Sequence, residues 1–320
     1  MTDLEDLYCP NNARKEIRLF RGKANYLHIE CFVPLSENQI IQDTRQFLSG
    51  IIFIRTISLH KCGNISSQFI KELNLSNITE LKLQGQTNQN NSGLNILFWL
   101  PELTTLRIAD YGNLQLTQQI LEKNTKLTHL YIDNNEEISI ESLFLLENLQ
   151  KLTLDQNNLK SLKKLEFLKK TTNLESLDLN NNKIEFLQSD IFSNMSKLQR
   201  LNLGSNKLRS LPAGLLDHLP QLKSFRINCN DFESFPSGLV RHNKHITRFE
   251  LDNNSVMCRK GGKTALPDKM FLSSHLLEIR FEDVVIVKIP ERWLDGCTGK
   301  CFNLLSIKNI ESEGWITLFS

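Results

Sequence analysis

The chain has 320 residues, 40% of them apolar and 23% charged, an ordinary globular balance. Its formal net charge of +2 gives no bias toward nucleic acid or an anionic membrane. No stretch reaches the roughly 20 apolar residues of a membrane helix, and the acidic start, Met1-Thr2-Asp3-Leu4-Glu5-Asp6, lacks the apolar core of a signal peptide.

Residues 1–50 read as an N-terminal cap. Ile17-x-Leu19 and Leu27-x-Ile29-x-Cys31-x-Val33 alternate about Arg21-Gly22-Lys23, the pattern of a hairpin. Cys9 and Cys31 are positioned to staple it, a bridge contributing on the order of 3 kcal/mol in the chain-entropy picture. The cysteine count is odd: Cys9, Cys31, Cys62, Cys229, Cys258, Cys297 and Cys301. At least one thiol is therefore left over, and no pair of C-x-x-C units marks a zinc site.

Residues 51–320 repeat. The template L-x-x-L-x-L-x-x-N is clearest at Leu174-x-x-Leu177-x-Leu179-x-x-Asn182 and Leu198-x-x-Leu201-x-Leu203-x-x-Asn206. Copies ending at Asn135 and Asn157 match, and those ending at Asn230 and Asn254 place phenylalanine second. In degenerate copies Cys62, Gln86, Tyr111 and Val284 take the asparagine position. The second apolar residue falls at 57, 81, 106, 130, 152, 177, 201, 225, 249, 279 and, weakly, 305. The steps are 24, 25, 24, 22, 25, 24, 24, 24, 30 and 26, a period too steady for chance alternation.

In x-L-x-L-x the leucines alternate with polar residues, so each copy predicts a strand with one buried face. Strands of successive coils stack in parallel about 4.8 Å apart. The asparagine turns the chain inward, where its amide can satisfy buried backbone groups. Leu211-Pro212-x-x-Leu215-Leu216-x-x-Leu219, Phe192 and Phe235-Pro236-x-x-Leu239-Val240 supply the apolar plug of the return path. No coil buries its own apolar side; its neighbours do. The expected fold is an α/β leucine-rich-repeat solenoid: a curved horseshoe of about eleven repeats, a parallel β-sheet on its concave face, and an N-terminal cap. The last coil runs to Ser320 with no C-terminal cap, so the chain is expected to be a fragment or a truncated product.

Three places resemble the ectodomain of insect Toll receptors. Cys9-Pro10-Asn11-Asn12-Ala13, with Ile17-Arg18-Leu19 and Tyr26-x-x-Ile29-x-Cys31, is similar to the Toll amino-terminal cap. Cys62 is similar to that family's cysteine in the first coil. Phe235-Pro236-Ser237-Gly238-Leu239-x-x-His242-Asn243-Lys244-His245, followed by Leu251-x-Asn253-Asn254, resembles one Toll repeat closely. The resemblance spans nearly the whole chain. It implies a cell-surface or extracellular receptor region that binds a cystine-knot cytokine of the Spätzle type. In the full-length receptor a membrane span and a signalling domain would follow, and ligand binding would drive dimerisation. A secreted non-signalling repeat protein, such as a decoy or matrix binder, and an intracellular repeat scaffold are the alternatives.

The residue between the two strand leucines points outward. This column runs Ser58, Lys82, Arg107, Tyr131, Thr153, Asp178, Asn202, Arg226, Glu250 and Arg280. Arginine and tyrosine dominate binding hot spots, so Lys82, Arg107, His129, Tyr131 and Arg226 are the expected partner-binding residues. The competing reading is a solvated strand face.

Other motifs are weak. Gly261-Gly262-Lys263-Thr264 ends like a phosphate loop, but Met257 stands where the first glycine belongs, so an insertion loop is expected. His242-x-x-His245 lacks a third metal ligand. Cys297 and Cys301 either join Cys258 in a local bridge or stay unpaired. Asn64, Asn74, Asn77, Asn90, Asn194 and Asn253 are N-glycosylation acceptors by sequence. With no nucleophile elbow or catalytic pair, no enzymatic activity, metal, cofactor, small-molecule substrate or nucleic-acid partner is expected.

Overall fold

The computed structural model describes residues 17–22, 25–31, 36–48, 53–63, 65–85, 92–161, 167–232 and 235–251, with strand residues 264–265, 278–280 and 286–288. The chain divides into two compact units, Met1–Asn157 and Asn158–Ser320. Each is built of leucine-rich-repeat coils.

In the first unit, β1 (Ile17–Gly22) pairs antiparallel with β2 (Tyr26–Cys31), Ile17 opposite Cys31 and Gly22 opposite Tyr26. This is the hairpin that the alternation predicts. From β2 onward the pairing is parallel, through β3 (Thr56–His60), β4 (Glu80–Gln84), β5 (Thr105–Gln115), β6 (His129–Ser139) and β7 (Lys151–Thr153). Leu27, Ile57, Leu81, Leu106, Leu130 and Leu152 stand side by side in this register and are buried. The repeat template foresees only the first half of β5 and β6. Beyond an irregularity between Ala109 and Asn113 the two strands pair again, because Leu114 and Ile138 meet and both are buried.

The return segments of this unit are short and stacked. They are α1 (Glu37–Phe47), α2 (Ser67–Glu72), a 3-10 helix at Ser92–Trp99, α3 (Gln118–Leu121) and a 3-10 helix at Glu141–Leu145. Ser36 and Gln39 form a capping box at the start of α1, satisfying backbone donors that the first turn leaves over. Glu37 reaches the next coil and accepts from Ser66 N (2.8 Å) and Phe69 N (3.2 Å) at the start of α2.

In the second unit, β8 (Ser176–Asp178), β9 (Arg200–Asn202), β10 (Ser224–Arg226) and β11 (Arg248–Glu250) run parallel, and β11 pairs with β13 (Glu278–Arg280). Leu177, Leu201, Phe225, Phe249 and Ile279 align across them. The Phe225 and Phe249 rings meet edge-on, with centroids 5.4 Å apart. The plug residues Phe192, Leu215, Leu216, Leu219, Leu239 and Val240 are all buried. A small parallel pair, β12 (Thr264–Ala265) with β14 (Ile286–Lys288), takes in Thr264 of the Gly261–Thr264 stretch. The eleventh repeat about Leu305 lies outside the described residues.

Asparagine amides hold the turns. Asn135, Asn157, Asn182, Asn206 and Asn230 are buried. Asn157 Nδ2 donates to Ile132 O (2.7 Å) and Asp155 O (2.9 Å). Each Oδ1 accepts a main-chain N–H that the turn leaves unpaired: Leu159 N to Asn182, Ile184 N to Asn206 and Leu208 N to Asn230, all at 3.0 Å. In the degenerate copies, Tyr111 is buried in the asparagine position and its own N–H donates to Asn135 Oδ1 (2.9 Å). Cys62 turns its thiol toward Ile29 O (3.4 Å) and His60 O (3.2 Å). A second set of amides, absent from the strand template, closes the return path. Asn124 donates to Leu97 O and Leu100 O, and Asn243 donates to Leu216 O and Leu219 O.

The Cys31 side chain lies within hydrogen-bonding reach of the Cys62 thiol, and both residues are buried. Cys9, the partner expected for Cys31, lies outside the described residues, as do Cys258, Cys297 and Cys301. Among the described residues no helix is long and apolar enough to cross a membrane.

Candidate functional site

The parallel register converts sequence spacing into adjacency. Leucines point inward, so the residues between them share the opposite face of the sheet. Ser58 pairs with Lys82, Lys82 with Arg107, Arg107 with Tyr131 and Tyr131 with Thr153. Four of the five expected binding residues therefore gather on the first unit: Lys82, Arg107 and Tyr131 in one row, and His129 two residues before Tyr131 on the same strand face. Arg226 belongs to the second unit, where its Nε lies 3.2 Å from Glu250 Oε1. Glu250 also pairs with Arg248.

The row is a basic–aromatic ladder. The Arg107 guanidinium stacks on Tyr131 with its Cζ 3.7 Å from the ring centroid, and Lys151 Nζ lies 5.0 Å from the same centroid. Lys82 Nζ stands 5.1 Å from the centroid of Tyr26. Glu80 threads between the cations, its Oε1 3.5 Å from both Lys82 Nζ and Arg107 Nε. Thr128 Oγ1 lies 2.9 Å from His129 Nδ1. Stacking and ion pairing fix side chains that would otherwise lose rotamer freedom on binding. At 42% exposure the Arg107 side chain is still open to a partner.

Acidic and amide groups border the ladder near the strand ends. Glu30 Oε1 lies 3.4 Å from His60 Nδ1. Gln84 Nε2 donates to Asp110 Oδ2 (2.9 Å), and Asn134 Nδ2 donates to Asp110 Oδ1. His28, beside Tyr26, has its pKa held below the usual histidine range. Burial is the main cause, and the nearby His60 and Lys82 charges add to it against the opposing pull of Glu30.

Sequence reasoning missed Tyr26, Glu80 and Lys151. The signal exists, since Glu80, His129 and Lys151 each stand two residues before a column residue on the same strand face. The template does not say which side chains lean together.

His242 Nε2 lies 4.0 Å from Asp217 Oδ2, which also takes Arg241 at 2.7 Å. Among the described residues no cluster of three His, Cys, Asp or Glu side chains could hold a metal ion. Of the glycosylation acceptors, Asn74, Asn77 and Asn194 are exposed, while Asn64, Asn90 and Asn253 lie outside the described residues.

A leucine-rich-repeat family model matches residues 172–232. In sequence, the chain is 26% identical over 226 residues to the volume-regulated anion channel subunit LRRC8D of Rattus norvegicus, covering 60% of this chain and 25% of that protein. The Homo sapiens counterpart matches at 26% over 194 residues and is covered to 21%. The chain thus spans at most about a quarter of the length of these relatives. In structure, it resembles Toll in the Drosophila Toll–Spätzle complex, with a TM-score of 0.64 and 20% identity over 87% of this chain and 46% of that one. TLR13, solved with a single-stranded RNA, follows at a TM-score of 0.56, with 16% identity over 82% of this chain and 43% of that one. Internalin C2 of Listeria monocytogenes follows at 0.51, with 17% identity over 68% of this chain and 84% of that one. At these identities the likeness concerns the fold.

Proposed function

We infer that this chain is the ligand-binding repeat region of a Toll-type receptor, and that it takes a protein ligand on the sheet face built around Arg107 and Tyr131. The ladder from Tyr26 to Lys151 carries the reading: half-exposed cationic and aromatic side chains, pre-ordered by their neighbours, on a scaffold resembling Toll. A cystine-knot cytokine of the Spätzle type is the proposed ligand, with dimerisation of the full-length receptor as the signalling step. Exposed Asn74, Asn77 and Asn194 suit an extracellular, glycosylated surface.

A protein partner is the proposed occupant because Glu80 sits among the cations and acidic groups border them, which weakens the positive field that a polyanion would meet and suits a partner of mixed charge. The decisive experiment is biolayer interferometry of the whole chain against Spätzle-like cytokines. Saturable binding that weakens at least tenfold in Arg107→Ala/Tyr131→Ala supports the reading, and binding unchanged in that double variant removes the site.

Among the described residues Cys31, Cys62 and Cys229 are free cysteines, which favours one alternative, an intracellular repeat scaffold. Peptide mapping of native protein separates the two. A disulfide at Cys31 fits the extracellular reading, and Cys9 and Cys31 both recovered as thiols favour the scaffold.

A further inference from the structure

Two buried thiols meet where the hairpin joins the first coil. Cys31 ends β2, continuing the inward column of Leu27 and Ile29, and Cys62 stands two residues beyond β3. The two strands pair in parallel with Glu30 opposite His60, so the chain leaves them side by side just before each cysteine. The Cys62 thiol donates to His60 O (3.2 Å) and to Ile29 O (3.4 Å), which turns it across the strand pair toward the hairpin. The Cys31 side chain lies within hydrogen-bonding reach of that thiol. Cys31 is 1% exposed and Cys62 3%.

In later copies this turn position holds an asparagine. Asn157 Nδ2 donates to Ile132 O at 2.7 Å and Asn206 Nδ2 to Leu179 O at 3.0 Å, tying each coil to the one before. Cys62 reaches the equivalent carbonyl, Ile29 O, with a thiol, which is a weak donor and brings no amide oxygen to accept a main-chain N–H. The first coil thus holds the hairpin by a poorer contact than the coils ending at Asn157 and Asn206 hold their predecessors. A covalent bond would make up the difference. Neighbouring strands run about 4.8 Å apart, within the Cα span of roughly 4.4–6.8 Å that a disulfide bridges.

We propose that Cys31 and Cys62 form a disulfide when the chain folds in the presence of a small-molecule disulfide, and that this bridge, not one from Cys9 to Cys31, fastens the hairpin to the first coil. The exchange with oxidised glutathione balances. One cysteine thiolate attacks the glutathione S–S bond and releases one glutathione thiolate. The other cysteine thiolate attacks the protein sulfur of the mixed disulfide and releases the second. The two cysteines give up two protons and two electrons, and one glutathione disulfide becomes two thiols. Both cysteines are closed to solvent once the coils have packed, so the bridge forms during folding. It clamps β2, which carries Tyr26 of the ladder, to the coil beside it.

The test uses the whole chain. Reduced, unfolded protein is refolded in a glutathione redox buffer, remaining thiols are trapped with iodoacetamide, and the monomer is digested with trypsin. Mass spectrometry should find Ala24–Arg45 joined to Cys62–Lys71, and reduction should separate them. Cys9→Ser should leave the bridged fraction unchanged at every glutathione ratio. The chain held unfolded by denaturant in the same buffer should give at least about tenfold less of this pair, because only the fold brings the two sulfurs together. Cys31 joined to Cys9, Cys31 and Cys62 both recovered alkylated at every ratio, or equal bridging in folded and unfolded chains would overturn the assignment. None of these results bears on the sheet face, so ligand binding is decided separately by the interferometry above.

Discussion

Asn206→Ala tests how the repeat asparagines support the fold. Asn206 Nδ2 donates to Leu179 O (3.0 Å), Leu203 O (3.1 Å) and Gly204 O (2.9 Å), and its Oδ1 accepts Ile184 N (3.0 Å). Each carbonyl keeps a second donor in the variant: Asn182 Nδ2 on Leu179 O, Asn230 Nδ2 on Leu203 O and Asn181 N on Gly204 O. The Ile184 N–H loses its acceptor at a buried position. One orphaned buried donor costs about 1–3 kcal/mol, and the shared carbonyls add little, so about 2 kcal/mol is expected. Repeat arrays need not unfold in one step, so a local measurement is better than a global midpoint. Hydrogen exchange should show the Ile184 amide exchanging about 30-fold faster, the equivalent of about 2 kcal/mol, with the first unit unaffected. Unchanged protection at Ile184, or loss spread evenly over both units, would refute the bond-by-bond account.

Three further outcomes follow from the same contacts. The hydrogen bond with Cys31, and after it burial, push the Cys62 thiol up, so under reducing conditions iodoacetamide should modify half-exposed Cys229 in the folded protein and reach Cys31 and Cys62 only after denaturation. His28 has a folded pKa below the ordinary value of 6.5, so the unfolded chain takes its proton first. Its contribution is therefore complete above pH 6.5 and is lost as pH falls toward the folded value; the Tm of the native chain should drop over that window, and less in His28→Gln. Arg107→Ala should move the Tm by less than about 1 °C, since exposed ion pairs contribute little, while weakening ligand binding about tenfold.

The inward column was legible because a single period governs it. The expected positions stand in register within each unit, Ile57 to Leu152 in the first and Leu177 to Ile279 in the second. Features that depend on contacts across coils were hidden. The approach of Cys31 to Cys62 joins a hairpin strand to a turn in the first coil, and no motif links them. The second half of β5 and β6 depends on Leu114 meeting Ile138, two residues outside the template. Asn124 and Asn243 occupy return segments too variable in sequence to align by eye. At the site, Lys82, Arg107 and Tyr131 could be placed together because one residue per strand shares one row. The partnership of Glu80 with both cations depends on side-chain direction, which spacing does not encode.

That division has a physical origin. Along β9 and its extension, Leu201 and Leu203 are buried between neighbouring coils, and truncating such a leucine to alanine costs about 2–5 kcal/mol. Asn202 stands between them on the open face, where most substitutions cost under about 0.5 kcal/mol. Stability therefore holds every second strand position to an apolar residue and leaves the position between free. The observed column makes use of that freedom: acidic at Asp178, amide at Asn202, basic at Arg226 and acidic again at Glu250, on a uniformly apolar backing. Binding specificity can change along this face without disturbing the core beneath it. Gly204 is the instructive exception, a buried position held small by three converging side chains and not by packing from below.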